Sequence, residues 1–447
     1  MSGRMHEGAA EVERTTLRKV RARIIPFIFV LYIVAFLDRT NITMAALTMN
    51  EELGVTPGQY SLLSGLFFVG YFLLEVPSNL IMHRVGARVW IARILVTWGA
   101  VAMIGGLVRG VHELYAVRFL LGVAEAGFAP GMLLYLTYWF PRREQARAVG
   151  LYLAAIPVAG ILGSPISGFI LDNVHWFGLS SWRWVLILEG FPAVALGIAT
   201  YLVLPSSPDR ARFLTSDQAR WLTMALAAEA EAKGVKADLS APETLKGGRV
   251  WRLAAIYFGM LMGLYGATFY GPLLVKEGSS TSSNSAIGLL AMIPALVGLV
   301  AMILVARNSD RMLERRYHVA APAAIGGAAL VCLSAVHSTL SVVGLLGVAA
   351  FGIYGFFGPF WALPNEFLSG VSAAAGLALI NSFGNLAGFV SPMVIGAITA
   401  KTGTYAGGLA LAGTCMFAAA ILVVRLRGLS PVEMTAGEWP ANAGEAI

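Results

Sequence analysis

The sequence predicts an all-α integral membrane protein of twelve transmembrane helices in two six-helix bundles. Three observations carry this reading. Of 447 residues, 57% are apolar and 13% charged, against roughly 25% charged in a soluble domain. The apolar residues fall into twelve runs, each long enough to cross ~30 Å of hydrocarbon. One long polar stretch then divides the twelve runs six plus six. Water offers no way to hide so much apolar surface, whereas a spanning helix satisfies its own backbone hydrogen bonds in lipid. The 50 glycines agree, because small residues let membrane helices approach closely.

Taken in order, the runs lie near 24–49, 58–82, 89–108, 113–140, 146–172 and 182–204, then 251–275, 284–306, 318–337, 339–362, 371–400 and 404–425. They are spans 1 to 12. The division between spans 9 and 10 rests on His337 and Ser338 alone. The domain plan is an N-terminal segment 1–23, a first bundle 24–204, a central loop 205–250, a second bundle 251–425 and a tail 426–447. In the central loop, Thr215 followed by Gln218 has the spacing of a capping box. It predicts a polar surface helix tethering the bundles.

A net charge of +7 could suggest nucleic acid, but the charges sit in short loops between apolar runs, so no nucleic-acid partner is expected. Arg18, Lys19, Arg21, Arg23, Arg84, Arg88, Arg142, Arg143, Arg147, Arg307, Arg311, Arg315 and Arg316 fall on one side, whereas Arg109, Arg183, Lys276 and Lys401 fall on the other. The positive-inside rule places both termini and the central loop in the cytoplasm, in an inner or plasma membrane. Cys332 and Cys415 lie in different apolar runs and read as buried thiols, not a disulfide or metal site. No cleavable signal is read at the N-terminus. The sequence has no HExxH, no Gly-x-Ser-x-Gly and no phosphate-binding Gly-rich loop ending in Lys, so an intramembrane enzyme or ATP-driven pump is disfavoured. No catalytic residue, metal or cofactor is expected.

Charges inside a span are costly and mark function or a partner. Those here are chiefly Asp38 and Arg39 in span 1, Glu75 in span 2, Arg118 and Glu125 in span 4, and Glu189 in span 6. Helix rise puts Asp38 about 15 Å and Glu125 about 16 Å from the outer ends of their spans, near the midplane. Arg118 and Glu125 are seven residues apart and share one helix face. An arginine can grip an organic carboxylate with two prongs, and a desolvated glutamate can exchange a proton. The alternative for each is a static ion pair joining helices. Asp38 and Arg39 point about 100° apart, so they need different partners. Glu75, near Pro77 at the cytoplasmic end, reads as structural. Asn385 reads as helix glue. The Gly160-Ile-Leu-Gly-Ser-Pro-Ile-Ser-Gly168 run resembles an exporter pattern but also suits close packing.

The segments Phe36-Leu-Asp-Arg-Thr-Asn-Ile42, Gly70-Tyr-Phe-Leu-Leu-Glu-Val-Pro-Ser-Asn79, Arg118-Phe-Leu-Leu-Gly-Val-Ala-Glu-Ala-Gly127, Phe360-Trp-Ala-Leu-Pro364 and Asn381-Ser-Phe-Gly-Asn385 resemble the anion:cation symporter branch of the major facilitator superfamily. One departure is the loop after span 2, where His83-Arg84-Val-Gly86-Ala-Arg88 lacks the acid of the common superfamily motif. The resemblance implies the major facilitator fold and import of a small organic carboxylate by proton symport with alternating access. It implies proton-binding carboxylates at Asp38 and Glu125 and anion recognition at Arg39 and Arg118. Tyr71, Asn381 and Trp361 fall in matching motifs and join the substrate-binding set. Phe36, Ile156, Gly358, Phe360 and Trp361, placed on the cavity by their motif positions, are mostly apolar. They favour an aromatic or sparsely hydroxylated acid over a sugar acid, unless they merely pack between helices. The runner-up is a major facilitator exporter of organic acids or drugs. A monomer is expected.

Overall fold

The computed structural model describes residues 2–234, 247–279, 283–366 and 370–426. Among the described residues, twelve helices are long and apolar enough to cross a membrane: Glu11–Glu52, Pro57–Met82, Ala87–Gly105, Val111–Thr137, Arg143–Asn173, Ser181–Val203, Gly248–Glu277, Asn284–Met312, Arg316–Ala335, Thr339–Ala362, Gly376–Thr402 and Ala406–Val424. They are spans 1 to 12, and no strand occurs among the described residues. Of the expected tail, 427–447 lies outside the described residues, as does 235–246 of the central loop.

Span 1 does not begin at Ile24. Its helix runs unbroken over Ser2–Glu52, because no glycine or proline interrupts the polar turns just before the membrane and ion pairs hold that extension down. Arg21 meets Glu144 at 2.6 Å, and Glu13 pairs with Arg143. The capping box forms as predicted, Thr215 and Gln218 each bonding the other's backbone N–H at 3.2–3.3 Å. It starts the helix Ser216–Gly234. That helix docks on the first, with Lys19 Nζ donating to Gln218 Oε1 at 3.0 Å. The N-terminal extension, the start of span 5 and the central helix therefore share one end of the molecule. At the division between spans 9 and 10, Ser338 caps the helix Thr339–Gly355 by accepting from the Ser341 N–H.

Within the first six spans, span 3 packs along span 6, span 2 along span 4, and span 1 along spans 5 and 6. Within the last six, span 9 packs along span 12, span 8 along span 10, and span 7 along spans 11 and 12. The two sets meet where span 5 crosses span 8 and span 2 crosses span 11. The small residues of span 5 make the first crossing possible. A Cβ on Gly288 would fall 2.2 Å from the Ser164 carbonyl oxygen, and one on Gly168 would fall 2.5 Å from that of Asn284. The glycine and proline run is thus a packing surface. Leucine, isoleucine and valine side chains such as Val76, Leu202, Leu304 and Leu340 stand outward, the belt a bilayer would cover. Cys332 corrects the expectation of two buried thiols: it stands exposed on the outer surface, and Cys415 is half-buried. An apolar neighbourhood in sequence does not distinguish a lipid-facing position from a core one.

Candidate transport site

Span 4 is a broken helix. Val111–Glu125 ends at Glu125, Gly127 takes a left-handed φ of 85°, and Phe128–Thr137 resumes. Glycine is required there twice over, since a Cβ would also sit 2.4 Å from Ser78 Oγ and positive φ is strained for other residues. The break leaves Glu125 on the last turn of the upper half-helix. Sequence reading passed over this device, although Gly127-Phe-Ala-Pro130 signals it.

Around that break the predicted charges converge, and all four are buried: Asp38, Arg39, Arg118 and Glu125. Arg39 forms an ion pair with Glu125. Its guanidinium carbon also lies 5.1 Å from the Phe67 ring centroid, 5.3 Å from Tyr71 and 5.9 Å from Phe36. Asp38 turns the other way, as neighbours on a helix must. Its carboxylate accepts from the Trp98 indole N–H at 2.6 Å and from the Asn41 amide at 2.8 Å. Arg118 donates from Nε to the Leu63 carbonyl at 3.1 Å and rests 5.4 Å from Phe67. No carboxylate among the described residues lies within ion-pair distance of it. Trp98 and Phe67, which clamp this cluster, were not legible as site residues because aromatic side chains are common in any span.

The remaining candidates are distributed around this centre. Asn381 Nδ2 lies 3.3 Å from Glu75 Oε1, and Ser382 Oγ lies 3.5 Å from Oε2, so span 2 meets span 11 through a polar contact. Tyr71 stacks on Phe67. Phe360 is fully buried, stacked on Tyr257 at 5.1 Å, and Trp361 packs on the same ring at 5.0 Å. Ile156 is buried in the core. A Cβ on Gly358 would fall 2.8 Å from that of Ala306.

A cavity of about 120 Å³ lies between spans 1, 5, 6, 7, 8 and 10, with Phe36, Asn41, Thr43, Ser167, Glu189 and Tyr354 among its walls. Of the apolar set expected to line a pocket, Phe36 does so here. Hydroxyl, amide and carboxyl groups beside it add hydrogen-bonding partners to a wall that is otherwise mostly apolar.

Where spans 5 and 8 cross, Asp172 ties the two sets of spans together. Its carboxylate accepts from Ser283 Oγ at 2.8 Å, from the backbone N–H of Asn284 at 3.0 Å, from Asn284 Nδ2 at 2.9 Å and from the backbone N–H of Ser285 at 2.7 Å. One bundle thereby caps the first helical turn of the other, where orphan N–H groups and the helix dipole favour an anion.

Two sets of six spans around a central cavity, with paired charges buried between helices long and apolar enough to cross a membrane, define a membrane transport protein. The chain belongs to the major facilitator superfamily, whose profile matches residues 28–392. A "Putative tartrate transporter" of Agrobacterium vitis is 44% identical over 422 residues, covering 94% of this chain and 97% of the relative. A "Quinolone resistance transporter" of Acinetobacter baumannii is 37% identical, covering 91% of this chain and 92% of the relative. Among solved structures, a bacterial homologue of the human lysosomal transporter Spinster, inward-facing and unoccupied, matches with a TM-score of 0.66. At 18% identity, over 91% of this chain and 95% of that one, that likeness establishes the fold. The relatives and the fold are those of transporters, not enzymes.

Proposed function

We propose that this protein is a monomeric, multi-pass transporter of the plasma membrane, with both termini cytoplasmic, that imports a small organic carboxylate with protons by alternating access. The observation that carries the proposal is Arg118: a buried guanidinium whose contacts among the described residues are carbonyls and a ring is a cation awaiting an anion. Leaving such a charge unpaired in a low-dielectric interior is costly. The planar fork suits a carboxylate in two-pronged contact.

Charge balance then supplies the coupling. Asp38 and Glu125 balance Arg39 and Arg118 in net charge, although neither acid touches Arg118, so an incoming anion leaves the centre with surplus negative charge unless a proton enters with it. Glu125 is placed to take that proton when the substrate draws Arg39 away, and Asp38 offers a second site. Tyr71 and Asn381 then flank the charges from spans 2 and 11. In this cycle the coupling ion is H+, no cofactor participates, and no nucleic acid is a partner.

For the substrate, the tartrate names of two relatives at 44% and 43% identity and the hydroxyl-bearing cavity wall support a small hydroxylated dicarboxylate. The aromatic acid favoured by the motif positions competes with it. The quinolone transporter relative supports a second reading, export of a drug-like acid. Uptake into proteoliposomes tests the primary reading. Glu125→Gln should abolish accumulation driven by a pH gradient while leaving exchange of internal for external substrate measurable. Accumulation against a gradient in that variant would remove Glu125 from the coupling mechanism.

A further inference from the structure

Glu189 is a membrane-buried acid that this cycle leaves idle. It stands on span 6, about 12 Å of helix from Ser181, and is 6% exposed. Its Oε1 accepts from Ser167 Oγ at 2.5 Å. Its Oε2 is buried with no hydrogen-bond partner among the described residues, and the residue lines the 120 Å³ cavity with Ser167, Asn41 and Thr43. No Lys or Arg among the described residues forms an ion pair with it.

The surroundings decide its protonation. From span 1, Asn41 lines the cavity, and Asp38 stands one helical turn from it, bonded to its amide. From span 10, the Tyr354 phenol shares the cavity wall. Span 5 offers Ser167, a neutral donor. Span 3 presents Gly99 and Ala102 against Gly190, with no charge. A carboxylate in such a place, with another acid nearby and no ion-pair partner among the described residues, is costly to desolvate. The neutral acid fits a position with no cation paired to it. The carboxylate fits when water fills the cavity and supplies hydrogen bonds, whereas an entering anion, a like charge, favours the neutral acid.

We propose that Glu189 is a further proton site, separate from Asp38 and Glu125, which loads and unloads as the cavity closes and fills and so adds one proton to each transport cycle. This rests on the symport reading. The step is a proton transfer alone: Oε2 gains H+ from water on one side of the membrane and returns it to water on the other.

The test is steady-state accumulation in proteoliposomes at zero membrane potential, under a pH gradient of about one unit. Each coupled proton multiplies the accumulation ratio about tenfold per pH unit. Glu189→Gln should therefore lower the ratio about tenfold relative to wild type, and Glu189→Asp should restore most of it. A second measurement does not require turnover: proton uptake by purified protein on substrate addition should be smaller by about one in Glu189→Gln. An unchanged ratio, an unchanged proton uptake, or an Asp variant as defective as the Gln variant would overturn the proposal. So would wild-type accumulation that follows a Na+ gradient at fixed pH and is lost in Glu189→Gln, since a metal ion would then occupy the site. Wild-type protein that ignores the pH gradient altogether refutes the symport reading itself.

Discussion

Asp172→Ala should open the molecule at the crossing of spans 5 and 8. The native carboxylate accepts four hydrogen bonds there, all between 2.7 and 3.0 Å. Hydrogen bonds to a charged group contribute about 1.5 to 3 kcal/mol each when fully buried. Asp172 is half-buried, and in the opened state both partners regain water, which leaves a net contribution of about 3 kcal/mol to the closed state. Losing it should raise the open population about a hundredfold relative to the closed one. Asp172→Asn keeps one accepting oxygen and should give about a tenfold change. The assay uses a single cysteine at Thr268, a cavity residue of span 7, with Cys332 and Cys415 replaced. The labelling rate by a membrane-impermeant maleimide added outside intact cells then reports the opening. A labelling rate in Asp172→Ala within twofold of the parent would refute the view that this cap holds the end closed.

Gly288→Val places side-chain carbon 2.2 Å from the Ser164 carbonyl oxygen, so it should open the same crossing by steric force and raise maleimide labelling without any change of charge. Arg118→Lys should weaken substrate affinity at least tenfold although the charge is kept, because an ammonium cannot reproduce a planar two-pronged contact; near-normal affinity in a binding titration moves the anion site to Arg39. Gly127→Ala should lower thermal stability by about 1 kcal/mol or more through its positive φ and the contact with Ser78, and an unchanged melting curve would contradict the need for the break. In competition for labelled uptake, tartrate should displace better than benzoate or hydroxyphenylacetate; the reverse order restores the aromatic preference read from the motif positions.

Hydropathy and charge determined much of this protein from the sequence alone. Each span's preference for lipid is a property of its own residues and is independent of its neighbours, so the twelve runs and the helical start at Thr215 could be read directly. The same holds for the candidate charges: Asp38, Arg39, Arg118 and Glu125 are conspicuous because a charge in an apolar run is expensive wherever the helix packs. Even the divergence of Asp38 and Arg39 follows from helical geometry. Tertiary structure alone decided which groups meet. The ion pair of Arg39 with Glu125, the indole of Trp98 on Asp38, and Asp172 capping span 8 join residues 60 to 113 positions apart. Such contacts depend on how each helix is rotated and how closely its small residues let it approach. Hydropathy does not record those variables, because lipid and protein neighbours are equally apolar to a leucine. For the same reason the sequence could not separate an outward Cys332 from a buried thiol, or an aromatic side chain on the cavity wall from one stacked in the core, as Phe360 is on Tyr257.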